Sequence, residues 1–163
     1  MSALLDLLIE KIGTFVAAAT LTLALVVMAA QVVARYVFSD SLIWSEEVAR
    51  YALIWSSMVG AAVAYRQGAH VAVTDVVVRL PKALQALCVR AVHLLILGFA
   101  VLFTWQSWTL TLRSFARHEV TAALQFDIAW VQLALAVGGV LIAVVALEAI
   151  WRGPPPSSGV SSV

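Results

Sequence analysis

The densest group of residues able to do chemistry is Arg35-Tyr36 followed by Trp44-Ser45-Glu46-Glu47-Val48-Ala49-Arg50-Tyr51. Adjacent carboxylates beside arginines can fix helices through ion pairs, present a charged surface to a partner, or relay protons and bind substrate. Glu46 and Arg50 are four apart with the acid first, the favourable order for a helical pair, and Glu47 lies three before Arg50. Ionisable groups at membrane depth are costly and find partners. A structural network between two helices is the plainest reading, a docking surface the next. A relay fits least, because the acids sit at a helix start near an interface.

Other chemistry has less to stand on. His93 lies at the start of an apolar stretch, whereas His70 and His118 fall in connections. A haem held by two histidines needs a facing pair at depth, and only one histidine has it. Ligands at zinc spacing are missing. Cys88 is the single cysteine, which excludes an internal disulfide and reads as a small apolar residue. No Gly-rich phosphate loop, Ser-x-x-Lys or Gly-x-Ser-x-Gly element occurs. The expectation is no catalytic residue, no metal and no cofactor, hence not an enzyme. A net charge of +1 argues against nucleic acid.

The elements that must position these residues are four apolar stretches, at about 12–34, 48–65, 91–112 and 128–149. Each is roughly 18 to 23 residues long, and about 20 helical residues cross a hydrocarbon core. The chain is 63% hydrophobic and 12% charged, with a mean hydropathy of +1.00. An all-α membrane protein with four transmembrane helices in one domain, 1–152, is expected, and the lipid bilayer is its first partner. The first stretch lacks the basic flank of a signal peptide and is too long for one.

The sequence punctuates these spans. Residues 1–11 are amphipathic and read as an interfacial lead-in. Ser45 is placed to N-cap the second helix, with Glu46 and Glu47 in its first turn. Trp44 suits the membrane interface. Trp44, Tyr51, Trp55 and Met58 share one face of that helix. Ser56, Gly60 and Ala64 share another, at a spacing that lets helices approach closely. Residues 68–82 are half apolar and read as an amphipathic segment lying on the surface between helices 2 and 3. Pro81 suits the first turn of the third helix. Trp105 and Trp108 stand near the far end of the third span. Residues 153–163 are rich in Pro, Ser and Gly and read as a disordered tail.

With both termini on one side, that side carries Lys11, Arg66, Arg79, Lys82, Arg90 and Arg152. The other carries Arg35, Arg50, Arg113 and Arg117. The bias favours both termini in the cytoplasm.

The run Gln31-Val32-Val33-Ala34-Arg35-Tyr36-Val37-Phe38, then Trp44 to Tyr51, Trp55, Gly60-Ala61-Ala62 and Arg66-Gln67-Gly68-Ala69-His70-Val71 resembles a known family. It is similar to the small membrane subunit of TRAP (tripartite ATP-independent periplasmic) transporters, the DctQ-like small permease. The likeness extends through Leu80-Pro81 to Val137-Gly138, with Ala136 where the family often has proline. It implies a multi-pass protein of the bacterial inner membrane. It implies a large DctM-like subunit that carries the substrate and ion sites, and a periplasmic solute-binding protein, DctP-like. The small subunit would then scaffold and anchor ion-gradient-driven uptake, of organic acids above all. Arg35, Tyr36, Trp44, Glu46, Glu47, Arg50, Tyr51, Trp55, Gly60 and His70 are its contact candidates. A self-contained small multidrug exporter is the alternative, but such exporters place an acid mid-way along the first span, where this chain has none. A membrane redox enzyme fits less well still.

Overall fold

The computed structural model describes residues 6–39, 42–67 and 81–152. Residues 68–80, His70 among them, and 153–163 lie outside the described residues, and with them the expected surface segment and the expected disordered tail. A π-helical segment, Asp6–Gly13, runs directly into α1, Thr14–Val37. Then follow α2, Ile43–Arg66, α3, Lys82–Arg117, and α4, Ala129–Arg152. Each contains a stretch long and apolar enough to cross a membrane. In hydrocarbon a backbone must satisfy its own hydrogen bonds, and a helix does so within one segment. A helix of 24 residues is about 36 Å long, enough for a core of ~30 Å. The fold is an all-α membrane protein, as expected.

The helices overrun the apolar stretches that announced them. The second begins at Ile43, not beside Ser45. Leu42 holds the N-cap position, and the buried Ser45 hydroxyl donates back to the Leu42 carbonyl at 2.6 Å. Ser45 is thus a first-turn residue, bonded to the carbonyl three residues before it instead of capping N–H groups ahead. Pro81 is the N-cap of α3 and lies just before its first turn. Its fixed φ suits that position, and its own carbonyl accepts the Leu84 and Gln85 N–H groups. The third helix has 36 residues, about 54 Å, and so extends well beyond a bilayer core.

The four helices stand in a row and do not close into a bundle. α1 packs on α2, α2 on α4, and α4 on α3, while α1 scarcely meets α3 or α4. Two adjacent glycines set α4 between its neighbours. A Cβ on Gly138 would lie 2.7 Å from the Met58 Cβ on α2. A Cβ on Gly139 would collide with the Thr104 hydroxyl on α3. At Gly60 the same atom would meet the Ala17 Cβ at an ordinary 3.9 Å. The Ser56–Gly60–Ala64 stripe therefore faces α1, and Ser56 donates to the Ala17 carbonyl at 2.9 Å. α3 buries Ala100, Ser107, Thr111 and Ser114 at helical spacing, the stripe by which it meets α4. The Thr104 and Thr111 hydroxyls turn back to carbonyls of their own helix, so neither is stranded in the apolar contact.

The π-helical segment tucks under one end of the row. Ile9 is buried with Val63, Tyr65, Val145 and Ala146, against Ile96, Leu97, Leu141 and Ile142. All three other helices contribute to this cluster. The lead-in is therefore docked on the protein at Ile9.

Candidate functional site

At the far end, where α1 gives way to α2, the two glutamates turn in different directions. Glu46 reaches α1: its Oε1 accepts from the Gln31 amide at 3.1 Å and lies 3.8 Å from the Arg35 guanidinium. Glu47 reaches the connection between α3 and α4. Its two oxygens accept the backbone N–H groups of Ala123 and Leu124, each at 3.0 Å. Arg50 is exposed and joins no ion pair among the described residues. The expected Glu46–Arg50 or Glu47–Arg50 pair is therefore corrected. An exposed pair within one helix gains little, whereas free N–H groups of a turn need an acceptor. The two acids lie close in sequence but serve separate contacts.

The connection held by Glu47 has a defined shape. α3 stops where His118 adopts a left-handed conformation, φ 48°. Val120 and Asp127 face each other in an isolated antiparallel bridge. The Thr121 N–H donates to the Phe126 carbonyl, and the Ile128 N–H donates to the Glu119 carbonyl, both at 2.9 Å. The buried Thr121 hydroxyl accepts the Phe126 N–H, and Gln125 turns the chain with φ 50°. Val120, Leu124 and Phe126 remain exposed at its tip. Sequence reasoning missed this loop, because its anchor lies 76 residues away on another helix.

The remaining candidates scatter over several surfaces. Tyr36 is 80% exposed at the end of α1. Trp44 is partly exposed, and Tyr51 and Trp55 are half-buried on α2. Met58, on their face, packs against α4. Gly60 faces α1. Of the candidates the structure brings together only Arg35 and Glu46 at the far end, among the described residues.

A second polar centre, at the end where α2 stops, was not legible as a group. The Arg66 side chain is only 5% exposed. It lies 3.2 Å from Glu10 of the lead-in and 3.1 Å from Glu148 of α4. The neighbouring Tyr65 hydroxyl and His93 Nδ1 of α3 are 2.7 Å apart. Two successive residues of α2 thus tie down the lead-in, α3 and α4. In the sequence Arg66, Glu148 and Glu10 read only as charges at separate span ends. Neither centre gathers three potential metal ligands among the described residues. Both centres join helices, and residues 5–154 match one family over that whole architecture: tripartite ATP-independent periplasmic transporters, DctQ component.

The chain belongs to the DctQ family. It is similar to SiaQ of Vibrio cholerae, named a sialic acid TRAP transporter small permease, at 26% identity over 95% of this chain and 88% of SiaQ. A Haemophilus influenzae chain, provisionally named a TRAP transporter small permease, is 34% identical. That match covers about half of each chain, 52% here and 55% there. SiaT of Haemophilus influenzae, named a sialic acid TRAP transporter permease, is 28% identical over 71% of this chain, which is 18% of SiaT. Membership makes the protein a DctQ-type small permease subunit, a multi-pass component of the inner membrane and not an enzyme. A large permease is the kind of partner with which such a subunit works.

Proposed function

We propose that this subunit is the fixed scaffold of a TRAP transporter, anchoring a large permease that moves solute while the small subunit stays in place. The observation that carries the reading is the likeness to SiaT. There, a stretch like this chain makes up 18% of a longer permease polypeptide. A small unit joined covalently to a permease in one case is reasonably its membrane neighbour in another. The far end, with Tyr36, Arg50 and the loop tip of Val120, Leu124 and Phe126 exposed, is offered to a periplasmic solute-binding protein. Both termini then lie in the cytoplasm, in keeping with the basic bias of that side. The solute is an organic acid taken up with an ion gradient, and the names of SiaQ and SiaT make sialic acid the first to try.

The test is uptake in proteoliposomes. The large permease and binding protein of the same transporter are reconstituted with and without this subunit, under a sodium gradient. Uptake of sialic acid or of a dicarboxylate should depend on the subunit. Equal uptake without it would remove the scaffold reading.

A further inference from the structure

The outer face of α3 carries a polar group where a lipid-facing helix should have none. α3 packs chiefly on α4, touches α2 at one end through His93 and Tyr65, and leaves its outer face open. Thr104 lies against Gly139, which is close to the middle of Ala129–Arg152. That contact sets Thr104 level with the middle of α4, inside the apolar stretch 91–112 of its own helix. Gln106 is two residues further, about 3 Å along the axis. Gln106 is exposed and makes no hydrogen bond among the described residues. A primary amide left unpaired in hydrocarbon is costly.

Gln106 does not stand alone. It lines a shallow notch with Thr109, Leu110 and Arg113. Arg113 lies about 10 Å further along the same helix. It is exposed and joins no ion pair among the described residues. The free side of α1 is different. Leu25, Val26, Val32 and Val33 are exposed there, and the Thr22 hydroxyl is satisfied by the Ala18 carbonyl. Both edges expose large apolar side chains, Phe99, Leu102 and Trp105 on α3 among them, and the α3 edge adds the Gln106 amide to them.

We infer that the Gln106–Arg113 face of α3 is the seat of the large permease, which supplies a polar group opposite the amide and a carboxylate opposite the guanidinium. The inference rests on the pairing with a large permease proposed above and names the surface used. Charge complementarity and the cost of a bare amide at that depth choose a protein partner over acyl chains.

The test places a photoreactive residue at position 106 or 110, and at 25 or 33 on α1, in the subunit co-expressed with its large permease in native membranes. Adducts with the permease are expected from α3 and not from α1. Adducts only with a second copy of this chain, no protein adduct from α3, or equal adducts from α1 would overturn the inference. Gln106→Leu leaves the subunit folded, since its side chain touches no partner there. It should lower recovery of the permease on an affinity column about threefold. Arg113→Glu should lower it about tenfold. Unchanged recovery in both variants also overturns it. If the unaltered chain retains the permease while α3 stays silent, the pairing survives and the face is wrong. If the unaltered chain retains nothing, the pairing itself fails, and the inference with it.

Discussion

Glu47 shows how far a local rule reaches. Spacing along one helix offered it Arg50, yet its carboxylate closes a turn 76 residues away. The motif residues were visible in the sequence, but their partners were not, because donors on a distant segment leave no periodicity along the helix. Glu47→Ala should release the loop, read as faster hydrogen exchange at the Ala123 and Leu124 amides. Glu47→Ala and Arg50→Ala should be additive in their effect on thermal stability, since the two side chains do not pair. A marked coupling would restore the helical pair. At the other end, Arg66→Gln leaves the largely buried Glu148 without its cation. The expected loss is ~3 kcal/mol, as for one partner removed from a buried pair, measured as unfolding in detergent. A shift no larger than that of an exposed arginine, such as Arg117→Gln, would count against the buried centre.

Existence and type of the helices were legible, because four long apolar runs admit few alternatives. Their ends were not. α3 continues as a helix on both sides of its apolar run, since polar residues such as Gln85 and Arg90 are good helix formers that hydropathy does not register. The choice of close contacts was legible only in part. Gly60 was singled out, yet the tighter approaches are at Gly138 and Gly139. Gly138→Ala and Gly139→Ala should each cost about 1–3 kcal/mol through overpacking against Met58 and Thr104. Gly60→Ala should change thermal stability by less than ~1 kcal/mol, because its extra methyl meets Ala17 at contact distance. Gly60→Leu should crowd α1 and weaken assembly. Equal effects of alanine at all three glycines would mean that the row is looser than described.

At the scale of the molecule, the last turns of α4 return to the end of the row where the lead-in lies, since Glu148 and Glu10 both meet Arg66, and an even number of apolar stretches made this readable. The arrangement of the spans was not readable, because the same four runs would suit a closed bundle as well as a row. Orientation can be checked in a variant with Cys88→Ser. Ser39→Cys and Gln125→Cys should react with an impermeant thiol reagent from the periplasm, and Gln67→Cys only after the cells are opened. The reverse pattern would invert the subunit.

A palisade one helix deep has no lumen. Among the described residues each of the four staves has a neighbour or an open flank, and no ring of them surrounds a channel. Vesicles holding this chain alone should therefore be as tight as empty ones. Whatever crosses must travel beside the fence, along a route that another polypeptide completes.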